Sequence, residues 1–513
     1  MKQQQIGILD MGSNSIRLVI YTIDENGCTG ETLNLKVTAR LSSHIDSDGH
    51  MSKSGIEVIL QTLERFSHIV KQYPLTDLRC VATAAVRNAK NRDDVLQTIA
   101  ENSDFSIDIL SEREEAFYGY LAVTNSTGIT DGISIDIGGG STEITSFHNR
   151  ELIHYHSFPF GAVTLKNDFF RDAQPTRSEM KQLTKFLQAS FAELPWIRNK
   201  QVPVIGIGGS ARNLALVHQQ HVRYPLAGLH QYEMDVKDVQ SVNKMLMKMT
   251  NQQRQLVDGL SKDRSDIIIP AITALELLLH AVQAPKFFIS TKGLREGLFY
   301  EMYLQPFGIR QFPNVAEESL YQLSIDYSLN PEHQKQLAVL GTFLFQALNP
   351  LLDEPLSKTD LYLLRWSAKI FYIGSVIYAE SRSQHTFYLL TNTSIDGLTH
   401  EERLAVACIA SFKSRSQLKQ YIAPFRHWLS AKELKKYELL GAIVKLSFAL
   451  DSAKLQTIRS IQVEKVSNQL LILHIYHEGD SYFEKQHAEK NKKHLERALA
   501  KHIRLDFHDI CMK

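Results

Sequence analysis

The sequence predicts an α/β fold: two related domains, then a helical region and a small α+β end. Two loops and their spacing carry that reading. Ile6-Gly7-Ile8-Leu9 runs into Asp10-Met11-Gly12-Ser13-Asn14-Ser15 and on into the β-rich Ile16–Tyr21. Ile133-Ser134-Ile135 runs into Asp136-Ile137-Gly138-Gly139-Gly140-Ser141-Thr142-Glu143 and on into Ile144–Phe147. Each is a strand, an Asp-x-Gly-x-x-Ser loop and a second strand, and the two lie one domain length apart, which is the mark of an internal duplication.

Three consecutive glycines between strands leave nothing to pack and cost entropy, so they fit a backbone that something must approach closely. Successive bare N–H groups form a nest for phosphate oxygens, and Ser141 and Thr142 add hydroxyls. Asp136 and Glu143 at the two ends are suited to a hydrated Mg²⁺ that bridges to phosphate. A plain glycine-rich hairpin with polar ends fits the same residues. The repeat at Asp10 favours two loops gripping one phosphate chain.

At 513 residues the chain exceeds a single core and divides into several domains. A hydrophobic share of 43% with 22% charged residues is that of a soluble globular protein. A net charge of +1 gives no global sign of a nucleic-acid or membrane partner. Cys28, Cys80, Cys408 and Cys511 lack metal-ligand spacing and read as reduced thiols. The N-terminal residues turn directly into a strand without a signal-like segment, and no run of about 18 apolar residues occurs. A cytoplasmic protein without a membrane span is expected.

Taken in order, a third strand is expected over 33–41 and a helix over 55–73, where Ile56, Ile59, Leu63 and Phe66 keep helical spacing. A strand from Leu78 ends in Thr83-Ala84-Ala85-Val86-Arg87-Asn88. Arg87, just past a strand end, sits where α/β folds meet ligands, and an ordinary surface arginine fits equally. A strand over 105–110 precedes Ser111-Glu112-Arg113-Glu114-Glu115, where Ser111 and Glu114 have capping-box spacing. Glu112 suits the helix dipole. Glu115 has neither job: it either faces the cleft and polarises a water, or is one more first-turn acid. A helix over 177–192 and a strand over 202–205 lead to a third glycine loop, Gly206-Ile207-Gly208-Gly209-Ser210, whose amides at a helix start suit an anion. A helix over 266–281, a strand over 286–290 and Leu294-Arg295-Glu296-Gly297-Leu298 close this part. There is no P-loop signature.

In this order, Asp10–Ser15, Thr83–Arg87, Ser111–Glu115, Asp136–Glu143 and Leu294–Leu298 resemble the exopolyphosphatase/guanosine pentaphosphate phosphohydrolase family of the actin-like phosphotransfer superfamily. The resemblance implies two ribonuclease-H-like (actin-like ATPase) domains at 1–125 and 126–305. It implies an all-α HD-like domain at 306–450 and a small α+β domain at 451–513. It further implies Mg²⁺-dependent removal of a terminal phosphate from inorganic polyphosphate, with guanosine pentaphosphate (pppGpp) as the alternative substrate. Glu115 is the implied base, with Glu143 beside it as a second catalytic candidate. Asp10, Asp136 and Glu143 are the metal candidates. Phosphate contacts are expected from Gly12, Ser13, Asn14, Ser15, Arg87, Gly138, Gly139, Gly140, Ser141 and Thr142, and from the third loop at Gly208, Gly209 and Ser210. A homodimer through the C-terminal domains is implied as well.

The last third reads as helices over 317–327, 331–352, 359–379, 401–412 and 432–449. A working HD site needs adjacent His and Asp ligands. Residues 368–374 lack that pair, and His385 alone reads as a remnant or a structural histidine. Two strands, 458–466 and 470–476, precede a helix over 484–501 that carries Lys485, Lys490, Lys492, Lys493, Arg497 and Lys501. With Lys413, Arg415, Lys419, Arg426, Lys432, Lys435 and Lys436 these basic runs are either solvated surface or a guide for a polyanion. Two other classes stay open: an actin-like ATP-dependent kinase or ATPase, which needs an adenosine pocket near Gly206–Ser210, and a phosphate or alarmone sensor that binds without turnover.

Overall fold

The computed structural model describes residues 3–510, so Cys511 lies outside the described residues. Two compact units form: the chain up to Tyr224 with Leu229–Val315, and Pro225–Gly228 with the chain from Ala316 onward.

The first unit holds two sheets of the same plan. One contains β1 (Gln4–Met11), β2 (Ile16–Ile23), β3 (Thr29–Val37), β4 (Asp77–Ala82) and β5 (Asp108–Ile109), in the order β3-β2-β1-β4-β5. The other contains β6 (Gly132–Ile137), β7 (Thr142–His148), β8 (Glu151–Phe158), β9 (Val204–Ile207), β10 (Glu233–Met234) and β11 (Phe287–Ile289), in the order β10-β11-β9-β6-β7-β8. In each, the first strand pairs antiparallel with the second and parallel with the fourth. The duplication read from the two loops is thus a duplication of topology. Strands β1 and β6 are flanked on both edges and buried along most of their length, which is why they read as continuous apolar runs.

Helices cover the sheets through ordinary local rules. Lys53–Val70 buries Ile59, Leu63 and Phe66 along one stripe, and its Ser52 cap accepts from the Gly55 amide. Arg177–Ala192 is capped by Thr176, which exchanges hydrogen bonds with Glu179. The apolar helix Ile268–Val282 is buried nearly all round.

Several boundaries differ from the sequence reading. Strand β3 begins at Thr29 and stops at Val37, because pairing with β2 fixes it from Ile23↔Thr29 to Ile16↔Val37 and Arg40 turns left-handed at φ 47°. The stretch 105–110 pairs only at Asp108–Ile109. Gly206 and Ile207 are strand, not loop, since β9 is held between β6 and β11, and the next helix starts at once at Gly208. Residues 359–379 are not one helix: Lys358–Lys369 ends, Tyr372 turns left-handed at φ 57°, and its amide donates to the Ala410 carbonyl.

The second unit is helical up to Ala449 and ends in a three-stranded sheet of β12 (Ile458–Lys465), β13 (Leu470–His477) and β14 (His502–Asp509), ordered β12-β13-β14. Strand β14, absent from the sequence reading, returns parallel to β13 after the helix Tyr482–Leu499. The helix Arg382–Asn392 carries His385, against which Gly374 packs. Among the described residues no helix is long and apolar enough to cross a membrane.

Candidate active site

The two Asp-x-Gly-x-x-Ser loops fold alike because each closes a hairpin in the same way. Gly12 N–H donates to the Ser15 carbonyl at 3.0 Å, and Gly138 N–H to the Ser141 carbonyl at 2.9 Å. Their carbonyls are tied back. Ser13 O accepts from the Ser42 amide, while Gly138 O and Gly139 O accept from Ala162 and Val163 at the start of the helix Ala162–Phe169. The amides of Ser13, Asn14, Gly139 and Gly140 find no acceptor among the described residues. The loops face each other closely: a Cβ on Gly139 would stand 3.4 Å from the Ser13 Cβ, in van der Waals contact.

Between them lies a cleft of about 190 Å³ lined by both loops, by Asp10, Asp136, Glu115 and Glu143, and by Gly208 and Gly209. Glu115 reaches it from the first turn of the helix Glu112–Thr124. There Ser111 and Glu114 form the capping box that the spacing predicts: Ser111 N–H donates to Glu114 Oε2 at 2.8 Å, and the Glu114 amide donates to Ser111 Oγ at 3.3 Å. Glu115 accepts from Arg87 NH1 at 2.7 Å, and the same NH1 donates to the Leu110 carbonyl at 3.0 Å. Arg87 Nε and NH2 are buried without a partner. Arg87 therefore stands beside the base candidate, not on an open surface.

Some predicted residues are elsewhere occupied. Thr142 is fully buried and its hydroxyl donates to the Phe160 carbonyl at 2.7 Å. Ser210 is buried and accepts from Arg264 NH1 at 3.4 Å. Gly140 lies by the Ser13 hydroxyl.

The electrostatics follow from burial. Desolvation raises the Asp10 carboxyl above its usual range, with Arg295 and Arg17 opposing it, and raises Asp136, with Arg212 and Arg264 opposing. Each hairpin thus carries one buried aspartate flanked by two arginines. Burial pushes Glu115 up to about 7 against the pull of Arg87. Burial and the nearby Glu115 and Asp136 charges raise Glu143 well above the carboxylate range, although Ser141 and Ser157 hydrogen-bond to it. The Ser157 hydroxyl donates to Glu143 Oε1 at 3.0 Å.

These carboxylates fit a hydrated Mg²⁺. They are hard oxygen donors, and Asp10 Oδ1 is buried with no partner. Among the described residues no three acidic, His or Cys side chains converge as a closed cage.

Sequence reasoning missed four arginines. Arg17 faces Asp10 across β1–β2, in the register position that Glu143 holds opposite Asp136 across β6–β7. The repeat was enough to find it. Arg212, Arg264 and Arg295 also line the cleft; only Arg295 lay inside a noted motif. Arg264 lies over the start of the helix Gly208–Val222, where a Cβ on Gly209 would meet its guanidinium.

A sequence model of the Ppx/GppA phosphatase family matches residues 19–306, and one of Ppx/GppA phosphatase, domain III, matches residues 315–496. Exopolyphosphatase 1 of Mycobacterium tuberculosis (strain ATCC 25618 / H37Rv) and that of Mycobacterium bovis are each 27% identical over 299 residues, covering 57% of this chain and 87% of the relative. Crystal structures share the fold. The Aquifex aeolicus member of the Ppx/GppA family aligns at TM-score 0.53 and 24% identity, over 60% of this chain and 99% of that one. An exopolyphosphatase from Cytophaga hutchinsonii aligns at 0.53 and 24%, over 58% and 98%.

Proposed function

Because the chain belongs to the Ppx/GppA phosphatase family and is thereby a phosphoanhydride hydrolase, we propose that it removes the terminal phosphate from linear inorganic polyphosphate. The observation that carries this reading is the facing pair of glycine turns with a buried, non-capping glutamate between them. The amides of Ser13, Asn14, Gly139 and Gly140, with the hydroxyls of Ser13 and Ser15, hold the terminal phosphate oxygens. Arg87 adds its unpartnered N–H groups. Glu115 takes the proton of a water placed in line with the terminal phosphorus. The water oxygen bonds to phosphorus, the bridging P–O bond breaks, and the shortened chain leaves with that electron pair. Asp10, Asp136 and Glu143 are the residues that would hold Mg²⁺, which would supply charge neutralisation to the phosphate. A proton affinity near neutrality suits Glu115 to this task, and Glu143 is the next candidate for the base.

The seat of Arg264 supports a bare chain over ATP. The kinase or ATPase reading needs room for adenosine beside Gly206–Ser210, and the guanidinium fills the space over Gly209. A homodimer and a cytoplasmic setting belong to the same reading. The test is phosphate release by the purified chain with Mg²⁺, offered long polyphosphate, guanosine pentaphosphate and ATP in parallel. Fastest release from polyphosphate is expected. Faster release from guanosine pentaphosphate moves the substrate, and binding without release makes the protein a sensor.

A further inference from the structure

We propose that His474 and His508, on the C-terminal sheet, form a two-histidine site for a divalent transition-metal ion of the imidazole-preferring kind. The two side chains come from neighbouring parallel strands: on β13 and β14, His474 lies opposite Asp506 and Tyr476 opposite His508. Alternation along each strand puts these four on the face away from the buried Leu473, Ile475 and Leu505. His474 Nδ1 lies 3.0 Å from His508 Nε2, and His474 Nε2–H donates to Glu464 Oε2 at 2.9 Å. An ionised carboxylate only accepts, so Glu464 fixes the tautomer: the proton sits on Nε2, and the Nδ1 lone pair is turned toward His508. A carboxylate behind an imidazole in this way orients the ring as a metal ligand and raises its basicity. The His508 ring is held as well, 5.1 Å from that of Tyr476 and 27° from parallel.

The spacing selects the ion class. Metal–nitrogen bonds of about 2.0–2.1 Å put two ligating nitrogens roughly 2.9 Å apart at a right angle and roughly 3.3 Å apart at the tetrahedral angle. At 3.0 Å the pair is nearer the right angle, the geometry of tetragonal Ni²⁺ and Cu²⁺ sites. Two imidazoles do not close a cage, so the other coordination positions fall to water. Asp506 is no third ligand, because Arg504 holds both its oxygens, at 3.1 and 2.8 Å. Nitrogen ligands set this site apart from the oxygen-lined cleft suited to Mg²⁺. Strand β14 is the edge of its sheet and pairs with β13 alone, so an ion across the two histidines fastens that edge. The competing account is a hydrogen bond between the two rings with no affinity for metal.

The test titrates NiCl₂ calorimetrically into the full chain, with Mg²⁺ in excess to occupy carboxylate sites. A binding event is expected that His508→Ala removes and that Glu464→Gln, which keeps both ligands, weakens about tenfold or more. Ni²⁺ should also raise the urea midpoint of the parent protein, and this rise should be lost in His508→Ala. His508 is exposed, so the metal-free variant should melt as the parent does. His508→Gln, closer in size, repeats the measurement where alanine alters the fold. Ni²⁺ events that the His508 variants leave unchanged, or no event at all, overturn the site and leave only the hydrogen bond.

Discussion

Glu115 and Arg87, an ion pair at 2.7 Å and largely buried, are the residues on which the proposed chemistry turns. Glu115→Gln is expected to lower kcat by about 10²-fold or more while polyphosphate binding stays within a few-fold, measured by phosphate release and equilibrium binding. A base must be ionised, so kcat/KM should fall below a pH of about 7 and level off above it. The same proton affects stability. The folded state holds it up to about 7, against 4.5 for an unperturbed glutamate, so stability is favoured below 4.5 and lost as pH rises through about 7. The urea midpoint of the metal-free protein should therefore drop between pH 5 and pH 8, and the drop should shrink in Glu115→Gln. The capping box was legible from the Ser111/Glu114 spacing and left Glu115 without that job, but only the family resemblance singled Glu115 out as the base candidate. Arg212 and Arg264 were not legible: a lone arginine has no spacing signature, and only folding brings it beside Asp136.

The two hairpins were legible as elements because apolar strands and a polar glycine turn alternate locally. β5 and β14 were not, since β5 spans two residues and β14 gains its meaning from β13, a helix away in sequence. The join of β9 to its helix is the most constrained of these elements. Gly208 has φ +80°, and any Cβ there would press on the Asp136 carboxylate. Gly208→Ala is expected to cost roughly 1–3 kcal/mol and to disturb the cleft, which urea melts and activity would record together. Unchanged melts would mean that the turn relaxes freely. Arg264→Ala should empty the space over Gly209, so that ATP, expected to compete poorly in the parent protein, becomes a measurable inhibitor of polyphosphate turnover.

Across the whole molecule a net charge of +1 hides uneven local charge. Ion pairs to Glu438, Glu354 and Asp360 neutralise Arg415, Lys432 and Lys436, so part of the basic run is solvated scaffold. The helix Tyr482–Leu499 carries Lys485, Lys490, Lys493 and Arg497, while Lys492 pairs with Glu489. Attraction of a long polyanion to such patches should fade as the screening length drops to about 8 Å at physiological salt. Rates on long chains should then fall with ionic strength more than rates on tripolyphosphate do. The central claim is that water attacks the terminal phosphorus with Glu115 as base. Hydrolysis of long polyphosphate with Mg²⁺ in ¹⁸O-water tests it most directly. Each released orthophosphate should carry one ¹⁸O, with release abolished in Glu115→Gln. Unlabelled orthophosphate, with the label left on the chain, or undiminished release by the variant would contradict it.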